Sequence, residues 1–317
     1  MKQLTITPND ANRRVDQYLR REMPALPSGL LYRAFRLGKI KLNGKKTKPD
    51  TRLQIDDILS IYLEDEFFTK EPSPQDFLRA PRSLNIVFED DNILLLDKPA
   101  GLLCHADDKE FADTLIARVQ RYLYDNGEFC PDAPGTFTPA LANRIDRNTS
   151  GLVIAAKNAE ALRVLNEKIR LREVEKRYLC LVHGTPPRKF RCENYLYKDN
   201  AANTVRVYSE SGAGRKMAVT EFHTLESRDG FSLLEANLIT GRTHQIRAQL
   251  AHEKFPLVGD GKYGRSFGNH RKQFLCAYRL RFCFDANAGI LECLNGCEFT
   301  AGEPWFAVAF RAGELVQ

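Results

Sequence analysis

Residues 141–157, LANRIDRNTSGLVIAAK, set a carboxylate among cations and hydroxyls immediately before an apolar run. Asp146 lies between Arg144 and Arg147, with Thr149 and Ser150 just after it. These surroundings favour an ionised carboxylate, which is what a nucleophile needs. The same residues also suit an Asx-turn that does no more than feed a strand. A second candidate, Tyr178 in EKRYLCLVHG, is one aromatic on an otherwise apolar strand, which by itself reads as a core or sheet-face tyrosine. The third is LITGRTHQIRAQL. There a strand turns at Gly241-Arg242 and a helix begins through His244, Gln245 and Arg247, with Thr243 as the candidate N-cap. Four long polar side chains at a helix start suit a bound anion or a base edge better than a core.

These residues need rigid supports, and the pattern supplies them. Gly151 joins the polar loop to Leu152–Ala156, a run rich in β-branched residues that reads as a buried strand. Upstream, LNIVFEDDNILLLDKPAGLLCH holds two strands about an Asp-Asp-Asn turn, then a bend at Lys98-Pro99-Ala100-Gly101. FADTLIARVQRYLYDNG reads as a helix closing at Gly127, and NAEALRVLNEKIRLREVEKRYLCLVHG as a helix followed by the strand of Tyr178. Further strands follow in VRVYSE, AVTEFHTLES, FSLLEANLIT and FLCAYRLRFCF. Strands in hairpin-like succession predict an α+β domain on a mixed, mainly antiparallel sheet, here bounded at 84–317.

At 317 residues the chain is long enough for two domains. Residues 1–66 form a small module of their own, α/β in kind. NRRVDQYLRREM and the stretch from about Gly29 to Leu37 are helical, while KIKLNGKK, turning at Asn-Gly, and LQIDDILSIYL are strands. Arg33, Arg36, Lys39, Lys41, Lys45, Lys46, Lys48 and Arg52 meet one acid, Asp50, between positions 33 and 52. Such a run is either a solvated face or, being compact, a patch that displaces counterions from phosphates. Residues 67–83, Pro-bearing and without period, read as a linker in which Phe67 and Phe68 can tether one end to a domain surface. The eight cysteines show no paired CxxC spacing and read as buried thiols in a reducing compartment. No apolar run approaches the ~20 residues of a membrane span and the start lacks a signal peptide's apolar core, so the expected location is the cytoplasm.

The small module resembles the RNA-binding domain first known from the fourth protein of the small ribosomal subunit, through RVDQYL, LYRAFRLGKIKLNGKK and the DDILSI strand. Its helix opens with PSGLL in place of the usual Ser-Arg type opening. Residues 84 to about 284 resemble a pseudouridine synthase of the RluA type. The likeness rests on IVFEDDNILLLDKPAGLLCH, the loop 144–152, Lys176-Arg177-Tyr178, the run 240–247, and Gly259-Asp260 with Tyr263-Gly264. Three departures stand out: Asn143 where a histidine is common, Ile145 for a usual leucine, and Cys276-Ala277-Tyr278 for the customary Leu-His-Ala.

The resemblance implies an RNA pseudouridine synthase that cleaves and re-forms a glycosidic bond without a cofactor or metal. It makes Asp146 the catalytic aspartate, paired with Arg247, and Tyr178 the platform under the uracil and the expected proton acceptor at carbon 5. Arg144 would fill the gap left by the extruded nucleotide. Arg147, Thr149, Arg242, His244 and Gln245 are the further residues expected to contact RNA or base. Ribosomal RNA of the large subunit is the expected substrate, with transfer RNA as the alternative, and a monomer the expected state. A reading from another class is a non-catalytic RNA-binding or ribosome-assembly factor.

Overall fold

Asn43 and Gly44 adopt φ of 49° and 79° in the computed structural model, the left-handed pair that a two-residue hairpin turn requires. The structure describes residues 2–23, 26–63, 67, 76–107, 112–133, 135–199, 202–264, 267–268, 270 and 272–315. In the N-terminal unit β1 (Lys2–Thr5), α1 (Val15–Glu22), α2 (Ser28–Arg36), β2 (Ile40–Leu42), β3 (Lys45–Lys46) and β4 (Ile58–Ile61) follow in order. The strands lie β1-β4-β2-β3. Val15, Tyr18 and Leu19 of α1 and Leu31, Ala34 and Phe35 of α2 close over Ile40, Leu59 and Ile61 in a core separate from the rest. Phe67 packs against that core, whereas Phe68 lies outside the described residues. Arg33, Arg36, Lys39, Lys45 and Lys46 are exposed around the end of α2 and the β2–β3 hairpin. Lys41, half-buried, carries its ammonium over the Tyr62 ring.

The larger unit comprises β5 (Ile86–Glu89), β6 (Ile93–Lys98), α3 (Leu115–Asp125), β7 (Ala140–Leu141), β8 (Ser150–Ala156), α4 (Ala159–Leu171) and β9 (Val174–His183). It continues through β10 (Lys189–Asp199), β11 (Thr204–Tyr208), β12 (Lys216–Arg228), β13 (Phe231–Leu238), α5 (Gln245–His252), β14 (Leu275–Phe282), β15 (Glu298–Thr300) and α6 (Trp305–Ala312). One 11-stranded sheet runs β11-β10-β12-β13-β9-β14-β8-β6-β5, with β15 beside β14 and β7 beside β8. Among the strands named here, β8 and β14 are the pair that runs parallel, so the sheet is mixed and mainly antiparallel, as expected. From Leu152 to Ala156 β8 is apolar because both its faces are covered. Val153 and Ala155 join the core that includes α3 and Tyr178, while Leu152, Ile154 and Ala156 join the one under α4.

Several details differ from expectation. Residues 68–75 of the expected linker lie outside the described residues, and the rest is not free. Phe77 and Ala80 are buried in the larger core, with the Phe77 ring 5.6 Å from those of Tyr124 and Phe129. α3 starts at Leu115, capped by the Thr114 hydroxyl accepting from Ala117 N, later than the apolar pattern suggested. The two units also touch: Arg163 of α4 donates to the Ala11 carbonyl at 3.0 Å. Cys104, Cys180, Cys192 and Cys276 are buried thiols, but Cys130 and Cys293 are exposed. Among the described residues no helix is long and apolar enough to cross a membrane.

Candidate active site

The site is built where β8 leaves its loop between two neighbours. Gly151 pairs with Lys98 of β6 on one side and Ala277 of β14 on the other. Its φ is 107°, and a Cβ there would stand 2.2 Å from the Ala277 carbonyl oxygen. Only glycine lets the two strands close here. The loop before it is pinned at both ends. Asn143 Oδ1 accepts from Ile154 N at 2.8 Å, and Thr149 N donates to Asp146 O at 3.1 Å. The middle is held by Lys98, a fully buried residue. Its ammonium donates to the carbonyls of Pro99, Leu102 and Arg147 at 3.0, 2.8 and 3.0 Å. The Pro99–Leu102 bend is thereby tied to the residue next to Asp146.

Burial pulls the Lys98 pKa down to about 8. A neutral amine keeps two hydrogens for three carbonyls, so the tie loosens as pH rises through 8. The folded-state value lies below the unfolded 10.5, so this group's contribution to stability grows between the two, while the loop loses a donor. Turnover is expected to fall with an apparent ionisation near pH 8 without loss of fold. That limb should be absent, at a lower overall rate, in Lys98→Met, as a pH–rate profile would show.

Asp146 is about a quarter exposed and Arg247, from the first turn of α5, reaches it: Nη1 donates to Asp146 Oδ2 at 2.7 Å. Asp146 Oδ1 has no hydrogen-bond partner among the described residues. Arg247 is itself fixed by Asp260, a buried carboxylate that takes Nε on Oδ2 at 2.8 Å and Nη2 on Oδ1 at 2.9 Å. Asp260 Oδ1 also accepts from the backbone N–H groups of Lys262 and Tyr263. Burial alone would raise the Asp260 pKa, yet the Arg247 bonds and charge and those two N–H groups bring it below the ordinary value. Burial opposes the Arg247 charge as well, and Asp260 and Asp146 outweigh it, so the guanidinium is held still more firmly cationic. The bidentate fork sets the plane from which the remaining N–H group meets Asp146.

Tyr178 lies on β9 and faces the same core as Ile145. It is 6% exposed, and burial, then the Asp146 charge, pushes its phenol well above the ordinary value. The ground-state hydroxyl is therefore protonated, and it can take a proton only while giving up its own. Arg144 is exposed at the mouth, and its charge reaches His105 and Cys104.

The other expected contacts divide. His244 stands beside the carboxylate, Nε2 to Asp146 Oδ2 3.8 Å. It also caps α5 in the left-handed region at φ 51°, the place expected for Thr243. Arg147 and Arg242 are exposed but lean on backbone, their Nε atoms donating to Gly101 O at 3.0 Å and Met217 O at 3.1 Å. Thr149 and Gln245 are buried. Thr149 is 2% exposed and accepts from Gln273 Nε2 at 3.2 Å. Gln245 is 3% exposed, its oxygen accepting from Thr240 Oγ1 and Arg242 N and its amide donating to Val219 O and Thr220 Oγ1. α5 is buried nearly all round because β10 and β12 offer polar partners, such as Asn194 and Thr220 for Gln249. Sequence reasoning gives no role to Lys98, Asp260 or Tyr263. Their signal is confined to the motif residues DKPAG and GDGKYG. Among the described residues no group of His, Cys, Asp and Glu could hold a metal.

The mixed sheet thus brings together a carboxylate with one oxygen open and the other on a cation, and a buried phenol that its charge reaches. The family model described as RNA pseudouridylate synthase matches residues 92–252, and the chain belongs to that family: it is an isomerase acting on RNA. An uncharacterised RNA pseudouridine synthase of Mycoplasma genitalium is 33% identical over 285 residues, 86% of each chain. The ribosomal large subunit pseudouridine synthase C of Pasteurella multocida is 32% identical over 294 residues, 89% of this chain and 86% of the relative. Among solved structures, human RNA pseudouridylate synthase domain containing 4 superposes with a TM-score of 0.57 over 73% of this chain and 92% of that one, at 20% identity. That likeness concerns the fold.

Proposed function

We propose that the protein isomerises uridines of large-subunit ribosomal RNA, with Asp146 as the reacting carboxylate, Arg247 as its counter-charge and Tyr178 as the platform for the uracil. The observation that carries this reading is the convergence of Asp146 and Arg247, 101 residues apart, with Oδ2 held at 2.7 Å and Oδ1 left open. A uridine in a stacked strand must be flipped out to reach them, at a cost of a few kcal/mol. Stacking on an aromatic returns ~1–3 kcal/mol, and the exposed Arg144 guanidinium can stack in the vacancy. The open oxygen serves attack at carbon 1′, addition to the ring, or proton abstraction from the sugar. Tyr178, protonated at the outset, can relay but not store the carbon 5 proton, and the isomerisation balances because nitrogen 1, freed from the sugar, gains one proton for the one that carbon 5 loses.

The relatives and the N-terminal unit support this choice of substrate. Relatives over most of their length are named ribosomal large subunit pseudouridine synthase C. Residues 1–66 are the proposed RNA-binding domain. In its hairpin Lys41 and Lys46 are directly opposed, which puts two cations on one face of the strand pair, the Lys41 ammonium over the Tyr62 ring and that of Lys46 on the Arg36 carbonyl. The linker between the units, a monomeric state and a cytoplasmic location belong to the same proposal. Protein lacking 1–66 is expected to bind RNA more weakly, its salt slope flatter by roughly 0.7–0.9 for each phosphate it no longer neutralises. An unchanged slope would make the patch a solvated face.

The test of the function is chemical mapping of pseudouridine in cells with and without the gene. Loss of a large-subunit site is the expected result. Loss confined to transfer RNA would move the substrate, and no loss would favour a non-catalytic RNA-binding factor.

A further inference from the structure

Tyr263 Oη accepts from Val205 N at 2.7 Å and lies 2.8 Å from His244 Nδ1. Among the described residues the imidazole is the one acceptor within reach of the phenol's own hydrogen. With Oη already accepting from Val205 N, the phenol's own hydrogen is available to Nδ1, and when it goes there the ring hydrogen of a neutral His244 sits on Nε2, the atom 3.8 Å from Asp146 Oδ2. Oδ2 already accepts from Arg247. We infer that His244 is a positioning residue whose Nε2–H, fixed by Tyr263, is the second donor to Asp146 Oδ2, which leaves Oδ1 as the oxygen that reacts. The inference rests on Asp146 being the reacting group.

The surroundings agree with a neutral ring. Five groups face it: Asp146 from the loop, Arg247 from α5, and Asp260, Lys262 and Tyr263 from the turn after α5. Burial lowers its pKa to about 4; the Asp146 and Asp260 charges oppose this, and those of Arg247 and Lys262 add to it. A neutral donor holds the carboxylate without cancelling its charge, which a second full cation beside Arg247 would do. The distance is long for a hydrogen bond, as such contacts often are before substrate closes a site. The backbone adds a further sign, since a histidine at φ 51° accepts a left-handed conformation that asparagine adopts more readily.

That conformation gives the test its edge. In His244→Gln the amide reaches the Nε2 position, while in His244→Asn it reaches only Nδ1 but suits the backbone better. A merely structural histidine makes Asn the better replacement in both stability and rate. The positioning role predicts the opposite order for rate: His244→Asn loses about ten- to a hundred-fold in single-turnover rate with RNA affinity kept, and His244→Gln recovers a substantial part. Asn turning over as fast as Gln, or faster, overturns the inference. If Asp146→Asn also turns over normally, the reading of the site fails; if it is inactive, only the His244 role fails. Long-range proton–nitrogen spectra of the intact protein decide independently, even should both variants unfold. The wild type is expected to show a neutral Nε2–H tautomer from pH 5.5 to 8, and an Nδ1–H tautomer or a ring that protonates above pH 6 overturns the assignment.

Discussion

Asp260→Asn is expected to bind RNA nearly as well as the wild type and to turn over about 10²-fold more slowly or worse. Asp260 is buried, at 1% exposed, and it holds two of the three Arg247 nitrogens. An asparagine removes the charge and presents an N–H group to a donor, so Arg247 loses the fork that aims Nη1 at Asp146. Breaking a buried pair on one side costs on the order of 3–5 kcal/mol, so the melting temperature falls as well, read by calorimetry. Separating the two effects takes a single-turnover rate at saturating enzyme, at a temperature where the variant is folded. A rate within three-fold of wild type would reduce Asp260 to a purely structural role.

Gly151→Ala is expected to lose more than about 4 kcal/mol of stability, the range reserved for gross misfit. Replacing glycine by alanine ordinarily stabilises by ~0.4–1 kcal/mol where the backbone allows it. Here φ is 107° and the added carbon meets the backbone of Ala277 at 2.2 Å, so β14 must move off β8. Gly302 offers the control, since a Cβ there meets nothing within 4 Å and its φ is not positive. Thermal melts of the two variants should differ sharply. A Gly151→Ala protein as stable as Gly302→Ala would show that the β8–β14 contact is not what fixes the loop.

The parts legible in the sequence are those whose cause is local. The Asn43-Gly44 turn, the apolar run of β8 and the helical period of α1 and α4 each carry their own explanation within a few residues. β10 is less readable because its inward positions include Asn194, which pairs with Gln249 and so interrupts the apolar alternation. α6, WFAVAFRA, has no polar face to mark a period, and β1 is an exposed edge strand of mostly polar residues. The site divides in the same way. Asp146, Tyr178 and Arg247 stand out by residue type and by family resemblance. Gln273, which donates to Thr149, lies 124 residues away, and Val219 and Thr220, which take the Gln245 amide, lie 26 and 25 residues away, so their burial does not follow from the loops they occupy. Lys98 reaches the Arg147 carbonyl 49 residues on, and Asp260 holds Arg247 13 residues before it, and residue type alone marks neither pairing.

The account rests on the Asp146 carboxylate, and one substitution isolates it. Asparagine keeps the shape of the side chain and an oxygen that can accept from Arg247, while removing the ionisable group. The measurement is nucleoside analysis of RNA after single turnover with Asp146→Asn, alongside its RNA affinity. Affinity within a few-fold of wild type and no pseudouridine is the expected result. Detectable pseudouridine from the pure variant would contradict the assignment of Asp146 as the reacting group.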